Sequence, residues 1–245
     1  MMNILNSKLI IIKIGSSTLI DKTKNFKKDW INKLIDDVHF LIKKKIKVTI
    51  VTSGAIALGC KLLKKDKKQL KLKEHQAIAA VGQIELMNLF KKSFLRKKIK
   101  IAQILLTLED TENRRRSLNA RDTISNLFEM GIVPIVNEND TTATTEIRYG
   151  DNDRLAARVA QIINADTLIM LSDIDGLYSK NPNQFKDSAY IEKVTEINDS
   201  IKNNICFGED EEKINHKRLN DAINQSDLRD FINNLPKKEN TEIAD

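Results

Sequence analysis

The sequence predicts an α/β fold in three layers, α/β/α, around a mainly parallel central sheet. Two observations carry this. Short, near-continuous runs of Val, Ile and Leu alternate along the chain with segments whose apolar residues recur at helical spacing, as expected of strands buried on both faces beneath helices. Most of those runs also end abruptly in glycine, hydroxyl, amide or carboxylate residues. In open sheets of this kind, ligands bind beyond the carboxyl ends of the strands, so the polar ends are candidates for one site.

The elements follow in order. Lys8 to Ile14 is an apolar run closed by Gly15, a buried strand. Trp30, Ile31, Leu34, Ile35, Val38, Leu41 and Ile42 mark a helix over 27–45. Lys47 to Val51 is a second strand, followed by Thr52-Ser53-Gly54-Ala55 and a helix through Leu63. Residues 74–97 read as helix with a mild interruption at Gly82, and Ile99 to Leu106 as a third strand. A helix over 117–129 is closed by Gly131 in the position after the cap. Ile132 to Val136 is a fourth strand, 152–164 a helix, and Thr167 to Leu171 a fifth strand.

Composition narrows the function classes. The chain has 245 residues, 41% hydrophobic and 31% charged, which is globular and long enough to bury a sizeable core. No apolar run approaches the roughly 20 residues that cross a bilayer, and Met1 to Lys8 does not read as a secretory signal. Two cysteines, Cys60 and Cys206, cannot build a disulfide scaffold, and no Cys/His spacing suggests a metal site. A cytoplasmic location with no membrane partner is expected. The net charge of +7 is uneven: residues 1–100 hold 24 Lys/Arg against 7 Asp/Glu, and the remainder 17 against 27. The basic half lacks aromatics for stacking and any recognition motif. A compositional bias toward Lys, Ile and Asn explains it, and no nucleic-acid partner is expected.

The strand ends carry the chemistry. Lys13 lies inside an apolar run, where a lysine is rare without a partner or ligand; a snorkelling lysine is the plain alternative. Gly15, Ser16 and Ser17 would admit an anion, as would Ser53-Gly54-Ala55 at the next strand-to-helix junction. Neither has P-loop or dinucleotide spacing. Asn137 to Asp140 follow the fourth strand, and Asp151, Asn152 and Asp153 occupy a helix N-terminus. Asp140, Asp151, Asn152, Asp153 and Asp173 offer acceptors for an amine, for Mg²⁺, or for orienting Lys13. Two anion cradles facing carboxylates suit phosphoryl transfer from a nucleotide to a small zwitterion, which rests on positioning and charge neutralisation. A carboxylate acceptor needs no general base. The histidines (His39, His75 and His216) fall outside these loops, and Cys60 sits on an apolar helix as a core residue.

Lys13-Ile14-Gly15-Ser16-Ser17, Val51 to Gly59, Leu118-Asn119-Ala120-Arg121-Asp122-Thr123, Val136 to Asp140 and Gly150 to Asp153 resemble, in order, the motifs of the bacterial glutamate 5-kinases of the amino acid kinase family. The resemblance runs from about residue 8 to about residue 200 and implies an amino acid kinase domain over 1–200. It implies a transferase, an ATP-dependent kinase that phosphorylates the γ-carboxylate of L-glutamate in the first step of proline biosynthesis. ATP and Mg²⁺ would be required, with feedback inhibition by proline and a homo-oligomeric assembly. Lys13 and Asp153 would be catalytic, Lys13 on the phosphates and Asp153 organising the lysines. Ser53, Gly54, Ala55, Asn137, Asp140, Asp151 and Asn152 would bind glutamate. Lys13, Gly15, Ser16, Ser172 and Asp173 would contact the nucleotide, with no dedicated metal site.

Residues 201–245 depart from that pattern. The family's glycine-rich loop, Gly-x-Gly-Gly-Met-x-Thr-Lys, has no counterpart: Gly208 is the only glycine beyond Gly176, and no methionine follows Met170. Glu209, Asp210, Glu211 and Glu212 stand where ATP phosphates would lie, with Lys213 or Lys217 as possible substitutes for the missing cation. Residues 227–245 read as a solvated tail interrupted by Pro236. The RNA-modification-like domain that many members append is expected to be absent. A catalytically impaired, glutamate-binding relative is therefore the alternative expectation.

Overall fold

A computed structural model of the chain describes residues 4–21, 25–66, 70–142, 152–180, 182 and 184–194. The chain divides into two units, residues 1–173 and 174–245. In the first, five strands form one sheet: β1 (Leu9–Ile14), β2 (Lys47–Thr52), β3 (Lys100–Leu106), β4 (Ile132–Glu138) and β5 (Thr167–Leu171), in the order β3-β4-β2-β1-β5. Every pairing is parallel, so all five carboxyl ends reach the same edge.

Among the described residues seven α-helices connect the strands: α1 (Ser16–Leu19), α2 (Lys28–Lys43), α3 (Ala55–Leu62), α4 (Leu72–Leu95), α5 (Leu108–Glu112), α6 (Arg114–Glu129) and α7 (Asn152–Ile162). They divide between the two faces as the side-chain alternation of the strands requires. Ile10, Ile12, Ile14, Val48, Ile50, Val133 and Ile135 pack with residues of α2, α3 and α4. Ile11, Val51 and Val136 pack with Ala120 and Ile124 of α6 and Leu155, Ala156 and Val159 of α7. The three-layer reading holds. Asp166 pins the start of β1, accepting from the Lys8 and Leu9 N–H groups at 2.8 Å each. Those donors, Leu9 first, hold its carboxyl below the usual range.

Three details correct the sequence reading. The helix over 72–95 runs through Gly82 without interruption. Gly82 is there for packing: a Cβ on it would lie 1.8 Å from the Ala55 carbonyl oxygen, and one on Gly59 would lie 2.1 Å from that of Ile78. The two glycines let α3 and α4 touch backbone to backbone. Next, β4 extends two residues beyond its apolar run, because Asn137 and Glu138 stay paired with Leu105 and Leu106 of β3. Finally, α5 was not expected. Its signal is a capping box: Thr107 Oγ1 accepts from the Asp110 N–H (3.1 Å), while the Asp110 carboxylate accepts from the Thr107 N–H (2.8 Å).

In the second unit, β6 (Leu177–Tyr178) and β7 (Tyr190–Ile191) form an antiparallel pair. Tyr178 and Tyr190 meet edge to face with ring centroids 5.4 Å apart. Among the described residues no helix is long and apolar enough to cross a membrane.

Candidate functional site at the strand ends

Lys13 is the fifth residue of β1, an interior strand between β2 and β5, and is 7% exposed. Sharing the face of Ile11, its side chain runs toward α7, where Nζ pairs with Asp153 Oδ1. A buried ammonium without a partner carries a large desolvation cost, and the helix N-terminus places this carboxylate at its side. Gly15 follows at φ −70, so its lack of a side chain is not a backbone demand. A Cβ there would sit 3.7 Å from Lys13 Nζ; glycine leaves the surroundings of the ammonium open. Ser16, exposed, begins the single turn α1.

At the adjoining strand end, Ser53 Oγ donates to the Ile14 carbonyl at 3.2 Å, tying β2's exit to that of β1. Gly54 has φ +103, a left-handed conformation that favours glycine. That turn aims the first N–H groups of α3, beginning at Ala55, toward the same edge. Beyond β5, the Ser172 hydroxyl donates to Asp173 at 3.2 Å, and both residues are exposed.

The deepest part of the site is a cluster of side-chain amides. Asn152 Nδ2 donates to the Thr52 carbonyl and, at 2.8 Å, to Asn137 Oδ1. Asn137 Nδ2 donates in turn to Gln83 Oε1 at 2.6 Å. All three amides are buried. Glu138 follows Asn137 and is also buried, with Oε1 unpartnered among the described residues. Burial, and then the negative charge of Asp140, pushes its carboxyl up to about 7. Asp140 is half-buried in the loop after β4.

Lys13, Gly15, Ser53, Gly54, Ala55, Asn137, Asn152 and Asp153 thus stand at the adjoining ends of β1, β2 and β4 and the start of α7. Ser16, at the start of α1, and Asp140, in the loop after β4, lie at the same edge, and Ser172 and Asp173 follow the end of β5. Asp151, and residues 201–245 with the run of acids at 209–212, lie outside the described residues. Sequence reasoning missed Gln83 and Glu138. Gln83 carries no local signal beyond being polar on an apolar helix face, whereas Glu138 was visible as a carboxylate directly following a buried run.

An open parallel sheet with polar carboxyl ends on one edge is the arrangement in which α/β proteins commonly bind small molecules. The chain belongs to the amino acid kinase family, whose model matches residues 8–227. It is 58% identical over 197 residues to the glutamate 5-kinase of Pelagibacter ubique (strain HTCC1062), covering 80% of this chain and 54% of the relative. It is 53% identical over 193 residues to the glutamate 5-kinase of Agrobacterium fabrum (strain C58 / ATCC 33970), covering 79% and 50%. The chain spans about half the length of the relatives it matches. Among solved structures, isopentenyl phosphate kinase aligns over 81% of this chain and 83% of its own with a TM-score of 0.55. At 14% identity that likeness speaks for the fold alone.

Proposed function

We propose that this chain transfers the γ-phosphoryl group of ATP to the γ-carboxylate of L-glutamate, giving L-glutamyl 5-phosphate and ADP, the first step of proline biosynthesis. The observation that carries the reading is 58% identity over 197 residues to a glutamate 5-kinase. In the reaction a carboxylate oxygen forms the new P–O bond while the bond to the leaving ADP oxygen breaks. The acceptor is already ionised at neutral pH, so no base is needed. What the site must supply is alignment and positive charge.

Lys13 supplies the charge, neutralising the oxygens of the transferring group, and Asp153 holds its ammonium at the strand end. Asn137, Asp140 and Asn152, with Ser53 and the start of α3, hold the amino acid. Asp151 joins them in this reading. Gly15, Ser16, Ser172 and Asp173 take the nucleotide side. Asp173 would offer hard oxygen donors to a Mg²⁺ ion, which would supply counter-charge to the ATP phosphates. Proline as a feedback inhibitor and a homo-oligomeric state belong to the same reading. The oligomer finds support in exposed apolar residues such as Ile84 and Met130. Light scattering tests the assembly, and product formation with and without proline tests the inhibition. For the reaction itself, acyl phosphate is trapped with hydroxylamine. Product that requires both ATP and glutamate supports the proposal, and its absence refutes it.

One feature favours a second reading. Glu209, Asp210, Glu211 and Glu212 stand where the resemblance calls for a glycine-rich loop and its lysine, and like charges near phosphates repel. In that reading the chain binds glutamate but holds ATP weakly and turns over slowly. Grafting a family-type loop and closing strands in place of residues 201–245 would then raise turnover. Equal turnover of parent and graft would reject it and point to Lys213 or Lys217 as the replacement cation.

A further inference from the structure

The carboxyl ends of the strands carry the candidate site; their amino ends carry a different chemistry. The helices leading into β2 and β3 end in turns of one pattern, Lys43-Lys44-Lys45-Ile46-Lys47 and Arg96-Lys97-Lys98-Ile99-Lys100. In each, the isoleucine N–H bonds to a carbonyl five residues back: Ile46 to Leu41 at 3.1 Å, Ile99 to Phe94 at 3.3 Å. The lysine before it has a left-handed backbone, φ 63 at Lys45 and φ 58 at Lys98. Glycine is the usual residue there, and the turn into β4 has Gly131, φ 68. Since β4 lies between β3 and β2, the basic turns flank that turn and stand about 10 Å apart, two strand spacings.

These ten residues hold eight cations and no acid. Lys97 pairs with Asp36 at 2.9 Å; the other seven form no ion pair among the described residues. Asp166, at the same end, is occupied by the Lys8 and Leu9 N–H groups, which leaves Asp37 and Glu129 as the nearby counter-charges in sequence. Among the cations stand two protruding aliphatic side chains: Leu95, the last residue of α4, is 65% exposed, and Met130, just before Gly131, is 68% exposed. We infer that the amino end of the sheet docks on an anionic lipid bilayer, with the basic turns over headgroup phosphates and Leu95 and Met130 in the interfacial layer. Cations flanking exposed aliphatic groups suit that surface. A single-stranded nucleic acid would ask for aromatic faces to stack on, and here Phe40 and Phe128 each carry a lysine over the ring, Lys44 at 5.7 Å and Lys47 at 5.5 Å. The lack of a spanning run, behind the expectation of no membrane partner, does not bear on a protein that lies on a bilayer. The candidate site, at the opposite ends of the strands, would face away from it, and the inference is independent of the reaction that site carries.

Flotation of the full chain with phosphatidylcholine vesicles, with and without about 30% phosphatidylglycerol, tests the inference at low and high salt. Affinity for the anionic vesicles is expected to exceed that for the neutral ones at least about tenfold at low salt, and to fall at high salt. The variant Lys45→Gly/Lys98→Gly should lose about 25-fold, fivefold for each lysine. Glycine fits both left-handed positions, so its thermal midpoint should rise by about 2 °C, separating lost charge from lost fold. Lys64 is the control. It too has φ 51, but it follows α3, which runs antiparallel to α4 and away from this end; Lys64→Gly should keep the vesicle affinity. Met130→Ser should weaken binding about fivefold. Equal binding to both vesicle types, binding to neither, or a Lys64→Gly loss as large as that of the pair overturns the inference. So does an RNA duplex bound as tightly as the anionic vesicles, or a Met130→Ser chain that changes its mass in light scattering and keeps its vesicle affinity, which would give that residue to a second copy. If the double glycine variant does not fold, Lys44→Gln/Lys100→Gln decides: a loss of about 25-fold supports the inference, and unchanged affinity overturns it.

Discussion

Replacing Gly82 by alanine sets two physical effects against each other. Gly82 sits within the 24-residue helix α4, where alanine in place of glycine favours the helix by about 1 kcal/mol. Against this, the added Cβ would lie 1.8 Å from the Ala55 carbonyl oxygen and 2.6 Å from the Gly59 nitrogen. Both are main-chain atoms of the α3 turn and cannot swing aside. Real Cβ atoms essentially never come within 3.0 Å of a neighbour, so the two helices must separate by more than 1 Å. Overpacking of a closed contact costs about 1–3 kcal/mol, and a rigid backbone partner argues for the upper end. The net loss is therefore about 2 kcal/mol. At roughly 2–4 °C per kcal/mol for a chain of this size, Gly82→Ala is expected to lower the thermal midpoint by about 4–8 °C.

The displacement also has an address. The atom struck belongs to Ala55, the first residue of α3, and the retreat of α3 moves the Ser53-Gly54-Ala55 turn. Glutamate KM should rise more than ATP KM. Differential scanning calorimetry and the trapping assay check the two halves. Gly59→Ala meets the Ile78 carbonyl at 2.1 Å in the same crossing, so the two substitutions should be less than additive. A Gly82→Ala chain that melts higher than the parent would show that propensity outweighs contact here, and would refute the packing argument.

Other outcomes are expected from the site itself. Lys13→Ala should slow turnover about 10²–10³-fold, the usual loss of one electrostatic stabiliser; single-turnover rates at saturating substrates check it, and parental rates would remove Lys13 from the phosphate role. Asp140→Ala and Asn152→Ala should raise the glutamate KM far more than the ATP KM, and equal effects on both would undo the division of the site. Glu138 should give a pH signature. Its carboxyl is raised to about 7 in the folded state, so the folded chain holds a proton that the unfolded chain has released above about 4.5. The resulting contribution is fully present below about 4.5 and is lost as pH rises through 7. After a discount for solvent screening it is on the order of 1–2 kcal/mol. Thermal midpoints between pH 4.5 and 8 should show this fall in the parent and not in Glu138→Gln, and parallel curves for the two would reject the assignment.

The strands and their polar ends were legible because each signal is local. Ile10, Ile11 and Ile12 need no partner to read as a buried strand, and Lys13 among them is conspicuous on its own. Asn152 and Asp153 announce themselves as a helix start. What stayed hidden depends on contacts between distant segments. Gln83 lies 54 residues from Asn137, on a helix whose periodicity places it with the core and says nothing of the amide it meets. Gly82 read as a weakness in its helix because propensity counts only the local cost of glycine; the compensation sits on another helix, in the carbonyl of Ala55. The end of β4 was placed early for a similar reason. Asn137 and Glu138 break the apolar run, yet the partner strand keeps them in register. These omissions fall in one region, beneath the part of the candidate site proposed to hold the amino acid. A polar side chain can be buried there only if another segment supplies its hydrogen bonds, so that part of the site is written in pairs of residues that no single stretch of sequence contains.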